Sequence, residues 1–192
     1  MSEASAPRHP LLPWLLTGLA IAAGALWLWL SGRFMVCDCG TIRLFAGTGD
    51  PKGVSQHVAD WYTPSHIIHG FLFYAGLWLV APRMALSWRL LLATVVEVAW
   101  ELVENAPFII ERYRAVTVSV DYNGDTVLNS VADVLAMIAG FGLARVLPVW
   151  VSVAVVIGFE VLTAVIIRDG LALNVLMLLW PVQGVLDWQS AL

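Results

Sequence analysis

The chain has 192 residues, 60% hydrophobic and 12% charged, with a mean hydropathy of +0.82. A soluble domain carries roughly 25% charged and 45–50% apolar residues, so the composition excludes an ordinary water-facing surface and makes lipid the solvent. Ten Lys and Arg against 14 Asp and Glu give a net charge of −4 with no basic patch, which excludes nucleic acid as a partner.

The first apolar run, 11–30, holds twenty residues without a charge, and at about 1.5 Å per residue it covers the roughly 30 Å hydrocarbon core. Only Arg8 is a firm cation in the tail before it, and Ser31-Gly32-Arg33-Phe34 offers no small-x-small cleavage site, so an uncleaved anchor is expected. Cys37 and Cys39 follow as Cys-Asp-Cys; a four-thiolate metal site needs two more cysteines, so they read as accessible or interfacial thiols. Further spans are expected at 65–81, at 86–110 interrupted by Pro107, at 125–147, at 149–167 and at 171–186, the last short and containing Pro181. Trp14, Trp27, Trp29, Trp78, Trp88, Trp150 and Trp180 lie within these runs or at their ends, where indole rings collect in membranes. The sequence thus predicts an all-α, polytopic transmembrane helix bundle. It forms one domain over 1–192 with about six spans, or five if 171–186 re-enters or lies in the interface. Two longer loops, 31–64 and 111–124, emerge on the same face; Ala115 to Val120 alternates like a short extended segment, and Asn123-Gly124 is a turn signal. Lys and Arg are shared nearly evenly between the two faces, so orientation stays open.

Charges inside apolar helices carry the functional signal, because each costs about 2.5–3.5 kcal/mol at the bilayer centre even on the gentlest scale. Glu97, Glu101, Glu104 and Asn105 follow one another at steps of four, three and one, placing them along one face of the third span. Asp125, Asn129 and Asp133 form a second stripe at i, i+4 spacing, and His66 and His69 share a face of the second span. Alternating topology puts all of them in one half of the membrane, and Asp133 lies about 12 Å deeper than Asp125. Pro107 should bend or stop the third helix near Asn105, while Asp60, Tyr62 and Ser65 sit on the approach to the second span. The segment Asp121 to Asp125 has its glycine at the fourth position and so fails the EF-hand pattern; it reads as a turn that donates a carboxylate. Gly18, Gly24, Gly140 and Gly142 are expected to allow close helix approach.

Three blocks, Ser55 to Gly70 around His66 and His69, Glu97 to Asn105, and Asp121 to Ser130, resemble an uncharacterised family of alphaproteobacterial inner-membrane proteins. The resemblance covers nearly the whole chain after the first span and implies a multi-pass cell-membrane protein. It implies no reaction. The helix from Asp125 through Asn129 and Asp133 into Gly140-x-Gly142 is also similar to the VanZ-like membrane proteins.

Three ways of stabilising the buried acids follow: a metal ion, protonation, or pairing with Arg43, Arg112 and Arg114. The first predicts an intramembrane metal-dependent enzyme acting on a lipid or lipid-linked substrate. In it His66 and His69 with Glu101, Glu104 or Asp133 hold one zinc, iron or manganese ion, and Glu97 or Asp125 serves as general base, with Glu101 as a further catalytic carboxylate. Asp60, Tyr62, Ser65, Asn105, Asp121 and Asn129 would support that site. The alternatives are a proton-coupled small transporter, which as a dimer would relay protons through Glu97, Glu101 and Asp133, and a non-catalytic assembly or binding protein docking through its two loops.

Overall fold

The computed structural model describes residues 11–48 and 51–191; the N-terminal tail with Arg8 lies outside them. Eight α-helices follow one another: α1 (Leu12–Leu30), α2 (Thr63–Val80), α3 (Leu86–Glu104), α4 (Pro107–Val116), α5 (Val127–Val146), α6 (Val149–Ile166), α7 (Leu171–Leu179) and α8 (Gln183–Ser190). Three of them, α1, α5 and α6, are long and apolar enough by length and composition to cross a membrane. Helices α2 and α3 match them in length at 18 and 19 residues but bury polar side chains against their neighbours.

Helices α2 and α5 run parallel and form the tightest pair. Thr63 at the start of α2 reaches Asp133, and further along Gly70 packs on the backbone between Met137 and Phe141. Leu90 and Ala93 of α3 join Met137 and Phe141 in the apolar core, and Gly24 of α1 lies against Val98 of α3. Gly24 and Gly140 are therefore at close helix approaches as expected, whereas Gly18 and Gly142 have open space around them. Helix α6 buries only Thr163 and leaves its apolar surface outward.

The two long loops do share one face, and they interlock. Gln56 donates its side-chain amide to the Gly124 carbonyl at 2.9 Å, Arg33 bonds the Asn123 carbonyl, and Thr126 N–H donates to Ser55 O at 3.0 Å. Gly124 takes φ +84°, a conformation open to glycine, but the hydrogen-bonded turn lies earlier, at Val120–Asp121, where Tyr122 N–H donates to Ser119 O at 3.1 Å. The first loop also closes the start of α5: Val127 and Leu128 N–H donate to the carbonyls of Phe34 and Met35 at 2.9 and 3.1 Å, and the Thr126 hydroxyl accepts from Asn129 N–H at 3.2 Å. Those helix-end donors would otherwise be unsatisfied.

Four expectations change. The span at 86–110 ends at Glu104, and α4 begins anew at Pro107, whose ring fits a first helical turn but not a helix interior. The segment at 171–186 splits into α7 and α8 because Trp180, preceding Pro181, leaves the helical region at φ −143°, ψ 83°. With nine residues α7 reaches about 13 Å, too short to cross, so the bundle has five long helices. Residues 115–116 close α4, Thr117 after it is extended, and no strand forms among the described residues. Cys37 and Cys39 are joined as a disulfide instead of standing as free thiols, with Cys37 buried and Cys39 exposed.

Candidate functional site

The polar stripes converge. His66 lies on α2 with its Nδ1 atom 2.8 Å from Glu97 Oε1, and the Nδ1 atom of His69, one turn on, is 3.0 Å from both Glu97 oxygens. Glu97 is fully buried, so a single carboxylate bridges the two imidazoles. Around His66 the remaining acids close in: Glu101 Oε1 is 3.6 Å from Nδ1, and Asp133 Oδ2 is 3.8 Å from Nε2. The Thr63 hydroxyl, which accepts from Asp60 N–H, lies 3.4 Å from Asp133 Oδ1. Both Glu101 oxygens are buried and meet no hydrogen-bond partner among the described residues.

A second tier lies toward the loops. Asn105, at the end of α3, donates to Asp125 Oδ2 at 2.8 Å and accepts from Asp125 N–H at 2.7 Å. The Tyr122 hydroxyl donates to Asp125 Oδ1 at 2.9 Å, and the Tyr113 hydroxyl lies 2.9 Å from both Glu104 Oε1 and Asn174 Oδ1. Burial, reinforced by the carboxylate of Asp125 or Glu104, holds the protons of Tyr122 and Tyr113 more tightly than in water, which keeps both phenols as donors. Burial also pushes the Asp125 carboxyl above its ordinary range, with hydrogen bonds from its neighbours opposing part of that shift.

Among the described residues four sets of ligand atoms fall within 4.8 Å of one another; one, Cys37, Cys39 and His57, has both sulfurs in the disulfide, and the other three are His66, His69 and Glu97; His66, Glu101 and Asp133; and Glu101, Glu104 and Asp125. They adjoin a cavity of about 260 Å³. Its inner wall carries His66, His69, Glu97, Asp133, Glu104 and Asp125, while Phe73, Val96, Trp100, Leu171 and Val175 supply an apolar side on which Val96 and Val175 are exposed. Tyr62 and Ser65 line it too.

Not every expected residue faces the cavity. Asp60 is buried in its own turn, taking the N–H groups of Ser55 and Tyr62 at 2.6 and 2.7 Å, and so shapes the entry to α2. Asn129 donates to the His57 carbonyl at 3.0 Å, binding the first loop to α5. Asp121 is exposed and among the described residues accepts only at its backbone, from the Asn123 side-chain amide, so the segment's buried carboxylate comes from Asp125. Glu97 lies on the cavity wall and is held by both imidazoles. The arginines look elsewhere: Arg112 donates to Leu178 O at 3.1 Å, Arg114 to Tyr122 O at 2.6 Å, and Arg43 to His57 Nε2 at 2.9 Å.

The sequence reading missed Tyr113, Asn174 and Asp169. Asp169 accepts from the Tyr62 hydroxyl at 3.0 Å and lies beside Gly170, where Glu160 takes the first N–H groups of α7 at 3.0 and 3.1 Å. Asn174 had a signal: it is the single polar residue in the run Leu171–Leu179.

Fold and site together define a helical, membrane-type protein with a buried histidine and carboxylate centre. The chain belongs to DUF2585, a family of proteins of unknown function whose pattern matches residues 28–191. It is 63% identical over 180 residues to a UPF0314 protein of Paracoccus denitrificans, covering 94% of this chain and 93% of that one. A UPF0314 protein of Sinorhizobium fredii is 53% identical over 93% of this chain and 91% of its own, and one of Agrobacterium fabrum 47% identical over 100% and 98%. The relatives are alphaproteobacterial, as the three sequence blocks imply. No solved structure matches the chain.

Proposed function

We propose that this chain is a multi-pass protein of the bacterial inner membrane, crossing with α1, α2, α3, α5 and α6, and that its cavity is the active site of a metal-dependent enzyme acting on a lipid or lipid-linked substrate. The observation that carries this reading is the meeting of His66, His69 and Glu97, with ligand atoms within 4.8 Å, on the wall of a cavity whose other side is apolar. Mixed imidazole and carboxylate donors suit zinc, iron or manganese. Such an ion would activate water and polarise an ester or phosphoester oxygen.

The chain's own residues do the rest. His66, His69 and Glu97 would hold the ion, Asp133 on the Nε2 side of the His66 ring would accept a proton, and the Thr63 hydroxyl, 3.4 Å from Asp133, would orient it. Phe73, Val96, Trp100 and Val175 take the acyl portion of the substrate, and the apolar side admits it from the bilayer.

Metal analysis of the detergent-purified protein tests the reading. At least one equivalent of zinc, iron or manganese per chain is expected, lost in the His66→Ala, His69→Ala double variant. Folded protein that carries no metal and takes up none of the three overturns it.

A further inference from the structure

The all-oxygen set stands apart from the histidines. Glu101, Glu104 and Asp125 bring carboxylate oxygens within 4.8 Å of one another, from the last turns of α3 and the loop before α5. Acidic clusters form for many reasons, but here Glu101 is only 2% exposed and neither of its oxygens has a hydrogen-bond partner among the described residues. Leaving a buried acceptor unmet costs about 1–3 kcal/mol, more for a charged group, so something is expected to meet it. The other two carboxylates are held from behind: Tyr113 reaches Glu104, and Tyr122 and Asn105 reach the two oxygens of Asp125, each at 2.8–2.9 Å. Outer hydrogen bonds of this kind orient carboxylates that ligate metals.

Charge balance points the same way. Five carboxylates, Glu97, Glu101, Glu104, Asp125 and Asp133, surround two imidazoles in the three donor sets. If all five are ionised and both imidazoles neutral, one divalent ion leaves three negative charges beside a cavity with no Lys or Arg among its lining residues. A second divalent ion leaves one.

We propose that the buried polar centre along the cavity wall holds two cations: one on His66, His69 and Glu97, and a second, hard divalent cation of the manganese or magnesium class on Glu101, Glu104 and Asp125, of which Glu104 and Asp125 line the cavity and Glu101 lies behind them. The inference rests on the reading that the histidine set binds an ion, and it adds a second position with different chemistry. Oxygen-only donors favour hard ions, whereas imidazole favours zinc, iron or manganese. Glu101 lies between the two sets, 3.6 Å from His66 Nδ1.

Manganese is the probe, because it accepts both donor types. Full-length protein in detergent is stripped with EDTA and titrated with Mn²⁺, with bound metal counted by equilibrium dialysis and followed by electron paramagnetic resonance. Two ions per chain are expected. Glu104→Gln and Asp125→Asn each reduce the count to one, and so does the His66→Ala, His69→Ala double variant. Tyr122→Phe, which removes only a hydrogen bond to Asp125, weakens the second ion about 10-fold and leaves the first unchanged. A single ion in the parent protein that Glu104→Gln keeps and the histidine double variant loses, or two retained in Glu104→Gln, overturns the second position alone; a single ion lost in Glu104→Gln and kept in the histidine double variant overturns the first. No bound manganese, zinc or iron overturns both positions.

Discussion

Gly70 of α2 and Gly140 of α5 face each other across a crossing with no room for a methyl group on either. A Cβ at Gly70 would overlap the Met137 carbonyl oxygen, and one at Gly140 the Ile67 carbonyl oxygen. Because the opposing atoms are backbone, the helices themselves must part, and overpacking of this kind costs about 1–3 kcal/mol. The crossing lies beside His69, one turn from His66 and two from Asp133, so parting the helices also moves the imidazoles away from the α5 carboxylate. Gly70→Ala and Gly140→Ala should each lower the thermal midpoint in detergent and reduce metal uptake. Gly142→Ala, two residues on with open space around it, should do neither. Equal effects at 140 and 142 would contradict the crossing as described.

Glu97 is fully buried with both imidazoles on it, at 2.8 and 3.0 Å. Glu97→Gln keeps the shape but offers one acceptor where two rings compete, and its amide presents N–H where an acceptor is needed. Removing one partner of a buried hydrogen-bonded charge pair costs about 3–5 kcal/mol, whatever the pair itself contributes. The variant should lose metal from the histidine set and unfold at lower temperature, whereas Glu111→Gln, in α4, should match the parent. A Glu97→Gln protein with parental metal content would remove Glu97 from the ion-holding groups.

Much of this site was legible because helical periodicity is local. The i, i+3 step from His66 to His69 and the i, i+4 step from Glu97 to Glu101 state which side chains share a face, and alternating spans state which ends meet. What the periodicity does not contain is reach between helices. That Glu97 bridges both imidazoles, while Glu104 accepts from the Tyr113 hydroxyl, depends on helix rotations set by contacts such as Gly70 against Gly140. Asp60 and Asn129 were assigned to the site on polarity, yet each satisfies backbone groups of the packed first loop. The break at Trp180 shows the opposite case: Pro181 was visible, but hydropathy alone kept the run together across it.

Asp169 gives a pH dependence outside the metal sets. It is buried between α6 and α7, and burial raises its carboxyl above the ordinary value of 3.8, with the Gly170 N–H and Tyr62 hydroxyl opposing part of the shift. A carboxyl whose folded value is raised holds its proton more tightly when folded. Stability therefore falls as pH rises from the unfolded value through the folded one, and the ionised form carries the penalty at higher pH. Asp169→Asn removes this titration and leaves one acceptor for the two donors. In EDTA, the parent's thermal midpoint should exceed the variant's most at acid pH, and the gap should narrow toward pH 8. A gap that stays constant across the range would refute a raised carboxyl at this position.

The Cys37–Cys39 disulfide predicts a side of the membrane, which the nearly even share of Lys and Arg left open. Disulfides persist in the periplasm and are rare in the reducing cytosol. Both cysteines lie in the loop whose carbonyls close the start of α5, so the interlocked loops and the mouth of the site should face the periplasm. Two measurements follow. Intact-mass analysis of protein alkylated under denaturing conditions should find no modified cysteine until a reductant is added. A periplasm-active reporter fused after Val80, at the opposite end of α2, should be inactive, whereas one inserted in the first loop should be active. Free thiols in protein alkylated at the moment of cell lysis would remove the disulfide, and reporter activity at Val80 would invert the orientation.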